Sequence, residues 1–379
     1  MLLKIANFKC HQKFEQTLPG LTVLCGKNGT GKSSIIQALL LYHLAENLLK
    51  SGITKRFKTP LNGPFSLALG TGDDILSHFK GQPSKIDIAV NNHQISFSPD
   101  EDEESEYIWA TLENNSFSTP QNQQGPDRNI PNFVYLSAER IGPRLIQPTK
   151  QGYKLSTTGI GVHGENVAEF LKLVQRSVVD SAIGKYADTD SQWVRNHLEF
   201  WMSKLFGKIE IRVTDNGQFA PPSIQFLSGG VSNEWVHATH QGFGVTYALP
   251  VLLVGLASQE GDTLIIDSPE AHLHPAAQTE LAKFLGIIAE GGRKVLLETH
   301  SDHVIDGVRL AVASEEIPEL TQDKTKILYF SLDSEGHALV DKIDVLEDGS
   351  LSQWPSGFFD QMSFNLRALS ECKRRARKQ

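Results

Sequence analysis

Cysteine is scarce in this sequence. The 379-residue chain contains three cysteines, Cys10, Cys25 and Cys372, and no two of them form a CxxC pair. A disulfide framework or a cysteine-based zinc cluster is therefore not expected, and this usage fits a protein of the reducing cytoplasm.

Long apolar runs are also missing. A transmembrane helix needs about 18 or more apolar residues in succession. The longest stretch here, YALPVLLVGLA from Tyr247, is shorter and contains a proline. The opening MLLKIANFKC lacks the charged leader and apolar core of a signal peptide, and no sustained heptad repeat predicts a long coiled coil. We therefore expect a cytoplasmic protein without membrane association.

The charge balance is acidic. Lys and Arg number 36 against 44 Asp and Glu, which gives a formal net charge of −8. This balance excludes a protein coated uniformly with nucleic acid, although a local basic patch is compatible with it. With 40% hydrophobic and 21% charged residues, the composition is that of an ordinary globular protein.

The strongest motif is GKNGTGKS, from Gly26 to Ser33, which fits the phosphate-loop pattern GxxxxGK[ST]. A strand-like run, LTVLC, precedes it, and a helical pattern follows it, as this motif requires. Glycines let backbone N–H groups point at phosphates, while the helix N-terminus adds a favourable dipole. The motif predicts ATP or GTP binding, with Lys32 reaching the phosphates and Ser33 ligating Mg²⁺. The predicted nucleotide contacts are Gly26, Lys27, Asn28, Gly29, Thr30, Gly31, Lys32, Ser33 and Ser34.

A second motif is TLIIDSPEAHLHP, at 263–275. Its continuous apolar run is typical of a central parallel strand, and Asp267 falls at the carboxyl end, where α/β sheets place ligands. A carboxylate there can hold Mg²⁺, and we favour this role for Asp267 over that of a helix-capping aspartate. The alternation of strand and helix patterns predicts an α/β fold with a sheet covered by helices.

These motifs resemble those of a known group. NFK at 7–9 with LTVLCGKNGTGKSSIIQAL resembles the N-terminal head of ABC-type ATPases, which include SMC proteins, RecF and the overcoming-lysogenization-defect (OLD) ATPases. IIDSPEAHLHP and LLETHSDHVIDGVR are similar to the second half of that head. LNGPFSLALGTGDDIL, YLSAERIGPR, GVHGEN and WPSGFFDQ resemble a bacterial subgroup of AAA ATPases with an uncharacterised C-terminal module, whose members often look like antiphage-defence components.

The resemblance implies a P-loop NTPase of the ABC/SMC head type, with an N-terminal antiparallel β subdomain and a helical and β insertion lobe. We expect the N-terminal half of the head at 1–99 and the insertion lobe at 100–225. The second half of the head is expected at 226–325. Late strands, a partner-docking module and a basic, disordered tail are expected at 326–379.

ABC-type heads also carry a signature loop that contacts the γ-phosphate of the partner subunit. Two stretches compete for this role, LSGG at 227–230 and GFGVT at 242–246. LSGG reads as part of a hairpin, whereas GFGVT opens a helix leading to the Asp267 strand, as the family pattern requires. We therefore favour Gly242, Gly244 and Thr246.

The catalytic carboxylate is the unusual position. On the family pattern, Ser268 replaces the glutamate that normally follows the metal aspartate, and a serine hydroxyl is a poor general base. Glu270 is the nearest carboxylate and our first candidate to orient the attacking water, with Glu298 as the weaker one. His300 matches the switch histidine at the γ-phosphate, and His274 lies in a loop expected to cross the dimer interface. Hydrolysis, if present, is expected to be slow.

Together these features predict an ATPase that forms a homodimer, or a higher even oligomer, around ATP and Mg²⁺ and gates a co-encoded effector protein, most plausibly in antiphage defence. The alternatives are a RecF-like DNA-repair ATPase, which would bind nucleic acid, and a nucleotide-bound scaffold without turnover. A self-contained nuclease of the OLD kind is not expected, because the sequence after His300 lacks a clustered acidic metal motif.

Overall fold

The computed structural model describes most of the chain. The residues it describes are 1–51, 55–77, 83–112, 132–143, 159–214, 222–229, 234–315, 317, 320–355, 357–359 and 361–376. No helix among these residues is both long enough and apolar enough to cross a membrane.

The first layer is a six-stranded antiparallel sheet in the order β2-β1-β5-β6-β7-β4. Its strands are β1 Leu2–Phe8, β2 His11–Thr17, β4 Arg56–Pro60, β5 Ile86–Val90, β6 His93–Ser98 and β7 Tyr107–Leu112. The β subdomain predicted at the N-terminal end is therefore present. The boundary expected at residue 99 falls inside this sheet, because β7 pairs with both β6 and β4.

The central layer is a second six-stranded sheet in the order β15-β14-β3-β13-β12-β8, parallel except for β15. Its strands are β3 Leu21–Gly26, β8 Phe133–Leu136, β12 Thr263–Asp267, β13 Lys294–Glu298, β14 Thr325–Leu332 and β15 Ala338–Ile343. A small antiparallel sheet, β11-β10-β9, contains β9 Ile209–Thr214, β10 Ser223–Ser228 and β11 Val236–His237. Only β9 lies wholly within the 100–225 stretch expected as the insertion lobe, because β10 crosses its boundary and β11 follows it.

Helices pack on both faces of the parallel sheet, although the described side chains of the C-terminal helix do not contribute to this packing. The helices are α1 Lys32–Lys50, α2 Gly72–Ile75, α3 Val167–Val174, α4 Ser181–Gly184, α5 Val194–Phe206, α6 Phe243–Ala257, α7 Pro275–Glu290, α8 Asp302–Ala313 and α9 Gln361–Ala376. The apolar run from Tyr247 forms α6. The side chains of this helix are buried in a hydrophobic core, which accounts for the hydrophobicity of the run.

The side chains of β12 point alternately into two hydrophobic cores. Ile265 faces the core shared by α1 and the antiparallel sheet, whereas Leu264 and Ile266 face the core shared by α6 and α7. Successive side chains on a strand point to opposite faces, so a strand buried on both sides must be apolar throughout. The α/β fold predicted from the apolar run is therefore confirmed.

Two local predictions are wrong. The apolar spacing of GENVAEFLKLVQRSVVDSA, from Gly164, predicts one helix, but α3 ends at Val174 and Val178 forms an isolated bridge with Trp193 before α5 begins. The basic tail predicted to be disordered contributes Lys373, Arg374 and Arg375 to the last turn of α9. Basic residues there complement the negative end of the helix dipole.

Candidate functional site

The phosphate loop joins β3 to α1 through glycines with left-handed backbone angles. Gly26, Gly29 and Gly31 have φ values of 135°, 75° and 97°, which only glycine adopts easily. A Cβ on Gly31 would lie 2.5 Å from the sulfur of Cys10 and 2.7 Å from Nε2 of His11, so the loop also needs glycine sterically. Lys27, Asn28 and Gly29 are exposed at its rim, which leaves their N–H groups free to face an anion.

Lys32 is held beneath this loop. Its ammonium group donates to the carbonyl oxygens of Lys27 at 2.8 Å and of Gly26 at 3.1 Å, and the Thr30 hydroxyl donates to Lys27 at 2.8 Å. The side chain is buried, and burial lowers the pKa of Lys32, while Glu298 acts in the opposite direction. A buried cation that donates to carbonyl oxygens and has a carboxylate 3.9 Å away is placed to bind a phosphate.

Ser33, Asp267 and Glu298 meet at the carboxyl ends of adjacent strands. Asp267 and Glu298 are register partners in β12 and β13, and the Ser33 hydroxyl donates to Oε1 of Glu298 at 3.0 Å. Within the described part of the chain, Oε2 of Glu298 is buried without a hydrogen-bond partner. Burial, reinforced by the charge of Asp267, raises the pKa of Glu298 to about 7, against the opposing effects of Ser33 and Lys32.

The backbone turns sharply at Ser268. This residue has φ 48°, its N–H donates to the carbonyl of Glu298 at 2.8 Å, and its hydroxyl donates to Oδ1 of Asp267 at 2.9 Å. Burial raises the pKa of Asp267, and the bond from Ser268 opposes that rise. The serine in the expected glutamate position is therefore engaged in orienting the aspartate.

Arg140 is the residue that sequence reasoning missed. Its guanidinium is only 3% exposed and donates to the carbonyls of Asp267 at 2.8 Å and Ser268 at 2.6 Å, and to that of Ser137 at 3.0 Å. Burial lowers the pKa of Arg140 to about 10, against the charges of Asp267 and Glu270. The sequence signal was the charged turn that follows strand β8 in YLSAERIGPR, but the carbonyl partners of Arg140 cannot be identified from a sequence.

Glu270 and His300 are brought together. Oε1 of Glu270 accepts the backbone N–H of His300 at 3.0 Å, and Oε2 is buried with no partner among the described residues. Desolvation and then the charge of Lys32 lower the pKa of His300, while Glu270 and Asp267 act to raise it. The three residues predicted to be catalytic, Asp267, Glu270 and His300, thus share one electrostatic neighbourhood with Lys32.

GFGVT opens α6 with Gly242 as its N-terminal cap residue. A Cβ on Gly244 would lie 2.8 Å from the carbonyl oxygen of His272, so this turn packs tightly against PEAHLHP. The Thr246 hydroxyl donates to the carbonyl of Phe243 at 3.0 Å, and the Phe243 ring is 55% exposed beside His272.

The competing stretch LSGG is a direct neighbour of GFGVT. Ser228, at the end of β10, accepts a hydrogen bond from the side chain of Gln241 at 3.3 Å, and Gln241 immediately precedes the α6 cap. Gly230 of this motif lies outside the described residues. The two candidate signature loops therefore lie side by side on one surface. A functional test decides which of them is the signature.

The residues at the strand ends fit Mg²⁺. This ion prefers oxygen ligands and is usually bound by one or two carboxylates together with substrate phosphates and water. Ser33, Asp267 and Glu298 supply a hydroxyl and two carboxylates, and the unpartnered Oε2 of Glu298 is an acceptor in need of a ligand. No group of three or more His, Cys, Asp or Glu side chains suited to a metal occurs among the described residues. A Mg²⁺ ion at this site would take its remaining ligands from substrate phosphates and water.

Comparisons with known proteins give the family of this chain. Residues 1–118 and 164–305 match a family described as AAA ATPase domain, and residues 320–369 match a protein family of unknown function, DUF3696. The chain is 24% identical to the OLD nuclease of Thermus scotoductus over 345 residues, which cover 79% of this chain and 58% of that protein. It therefore spans less than two thirds of this relative.

The fold has a counterpart among solved structures. The SMC head bound to the C-terminal winged-helix domain of ScpA matches with a TM-score of 0.52 at 16% identity, over 91% of this chain and 97% of that one. An identity this low supports the fold alone. Because the family match covers more than half of the sequence, the chain belongs to the AAA ATPase domain family and has the α/β fold of an SMC head.

Proposed function

We propose that the protein is an ATPase whose heads dimerise around ATP and Mg²⁺, with slow turnover. The observation that carries this proposal is the meeting of Lys32, Ser33, Asp267 and Glu298 beneath the phosphate loop. These groups are supplied by α1, β12 and β13, as expected for a phosphate site at the carboxyl edge of a parallel sheet.

Each side chain has a distinct task in this proposal. The loop N–H groups and Lys32 bind the phosphates, while Ser33, Asp267 and Glu298 would hold Mg²⁺, which when bound neutralises charge on the transferring phosphoryl group. Glu270 is the proposed base, since its Oε2 is buried and without a partner among the described residues. Its other oxygen fixes the backbone of His300, which is proposed to contact the γ-phosphate.

The roles of the two carboxylates can be separated by single-turnover kinetics. If Glu270 is the base, Glu270→Gln retains ATP binding and lowers the hydrolysis rate by about 100-fold or more. Glu298→Gln instead weakens the Mg²⁺ dependence of binding. The assignment is reversed if Glu298→Gln traps ATP while Glu270→Gln hydrolyses normally. Absence of turnover in the wild type identifies a nucleotide-bound scaffold.

Dimerisation is proposed to use the α6 surface. Gly242 is exposed at a helix N-terminus, which favours an anion, and the exposed ring of Phe243 beside it is suited to an interface. In the dimer, Gly242, Gly244 and Thr246 of one head would contact the γ-phosphate held by the other, and His274 would lie at the interface.

The experiment is ATP-dependent association measured by analytical ultracentrifugation. Thr246→Arg should abolish the ATP-induced dimer while leaving nucleotide affinity in the monomer unchanged, and Lys32→Ala should abolish nucleotide binding itself. If Ser228→Arg blocks the dimer and Thr246→Arg does not, LSGG is the signature. Unchanged nucleotide affinity in Lys32→Ala would refute the phosphate-loop assignment.

The biological setting is proposed from resemblance. The subgroup motifs, including WPSGFFDQ, favour an ATPase that gates a co-encoded effector in antiphage defence. The relatives named above include a nuclease and a head bound to another protein, so control of a separate protein is compatible with both. Co-purification with the products of adjacent genes, with and without ATP, tests this part.

A further inference from the structure

The module of unknown function reaches the phosphate loop. Strand β14 runs beside β3, with Phe330 in register with Gly26, and a Cβ on Gly26 would collide with the carbonyl oxygen of Phe330. Gly357, at φ 83°, lies close by, because a Cβ there would be 3.2 Å from the Tyr329 hydroxyl and 3.7 Å from Cε of Lys27. We name residues 354, 355 and 357–359 the C-terminal loop. This loop therefore lies against the rim of the nucleotide site.

The C-terminal loop is anchored by aromatic packing. Phe358 is fully buried, and its ring centre lies 5.5 Å from that of Tyr329 and 5.0 Å from those of Trp354 and Phe359. Edge-on aromatic contacts of this kind are directional and resist displacement. The aromatic contacts therefore hold the C-terminal loop together as one packed unit beside Lys27.

Helix α9 follows this loop and is uncovered. Every described side chain from Phe364 to Arg375 is exposed, including Leu366 at 55% and Leu369 at 58%. Residues three apart lie on one helical face, so these two leucines form an apolar stripe. Because most helices in proteins are stabilised by packing of an apolar face, we expect another surface to cover this one.

The charge of α9 identifies that surface. The helix contains Arg367, Lys373, Arg374 and Arg375 against Glu371, a net charge of +3 (4 − 1). Since the whole chain carries −8, the remainder carries −11 (−8 − 3). A second copy of this chain is therefore net acidic outside α9, which favours its association with α9 electrostatically.

We propose that α9 docks on a second copy of this chain, and that the C-terminal loop couples this docking to the phosphate loop. Nucleotide at Lys27 sets the position of the loop and thereby of α9. The inference rests on the proposed ATP-dependent dimer and assigns the DUF3696 module a part in it.

The test compares two double variants of the full chain. Leu366→Gln with Leu369→Gln removes the apolar stripe, whereas Ala368→Gln with Glu371→Gln adds the same side chains to the opposite face of the same helix. The first pair should weaken the ATP-induced dimer about 100-fold, from two lost leucine contacts, with unchanged nucleotide affinity in the monomer. The second pair should dimerise at least as tightly as the wild type.

Hydrogen exchange over residues 361–376 supplies an independent readout. Protection should appear in the wild type with ATP at dimerising concentrations and be absent in Thr246→Arg. Equal dimerisation of the leucine variant and the wild type would overturn the inference and leave the proposed function intact. If the wild type itself does not dimerise with ATP, the proposed function fails. Protection of α9 at concentrations where the protein is monomeric would show docking on its own head and also overturn the inference.

Discussion

Glu298 allows the electrostatics of the site to be tested by stability alone. Its folded-state pKa is raised from 4.5 to about 7, chiefly by burial and then by the charge of Asp267. A carboxyl whose pKa rises on folding binds its proton more tightly in the native state. The folded protein is therefore favoured while Glu298 is protonated, and this contribution is lost as the pH rises from the unfolded pKa through the folded one.

The magnitude follows from the shift. This rise in pKa makes the free energy of unfolding about 3 kcal/mol lower when Glu298 is ionised than when it is protonated. Between pH 5 and pH 8 the loss is about 2 to 3 kcal/mol. Glu298→Gln keeps an oxygen acceptor for Ser33 but carries no charge at any pH. Relative to the wild type, the variant should gain about 2 kcal/mol or more in free energy of unfolding on going from pH 5 to pH 8.

The assay is urea unfolding of both proteins at the two pH values, without nucleotide or Mg²⁺, because a bound cation would stabilise the ionised carboxylate. Glu103→Gln, which removes an exposed carboxylate from the acidic loop, controls for the change in net charge. If the stability difference between Glu298→Gln and the wild type is the same at pH 5 and pH 8, Glu298 is not buried beside Asp267 at the strand ends in the way inferred here.

Two further predictions concern the turn after β12. Ser268→Glu restores the carboxylate of the family pattern and should raise ATP turnover at least tenfold, measured by phosphate release, at a folding cost of about 1 kcal/mol because the hydroxyl bond to Asp267 is lost; an unchanged rate would show that position 268 does not face the reacting phosphate. Arg140→Ala leaves the carbonyls of Ser137, Asp267 and Ser268 without their donor and should lower the free energy of unfolding by about 3 kcal/mol or more. Arg140→Lys should restore part of that loss, and a loss below about 1 kcal/mol would contradict the proposed clamp.

The sequence predicts those parts of the fold that local pattern determines. The apolar run before Asp267 and the phosphate-loop glycines each have one compatible structure, so β12, β3 and α1 could be placed from the residues alone. The break after α3 could not, because a tertiary bridge between Val178 and Trp193 overrides the helical periodicity. The end of the antiparallel sheet was missed for a related reason, since β7 joins it by pairing with β4.

The site was only partly predictable because its closest contacts link distant segments. Ser33 and Glu298 are 265 residues apart, and Arg140 and Asp267 are 127 residues apart. Their meeting depends on the order of strands in the parallel sheet, which no local pattern encodes. From the sequence, Glu298 is therefore a weaker candidate for the catalytic carboxylate than Glu270. In the structure, Glu298 is the carboxylate that contacts the phosphate-loop serine.

The position of β3 has a consequence for how the protein is made. This strand, which leads into the phosphate loop, is paired on one side with β13 and on the other with β14, roughly 270 and 300 residues later in the chain. Closing such long loops delays folding, because their entropy is lost before the strands contribute stability. During synthesis, the loop reaches its native shape only after residue 330 has left the ribosome, so the ability to hold a nucleotide marks a nearly finished head.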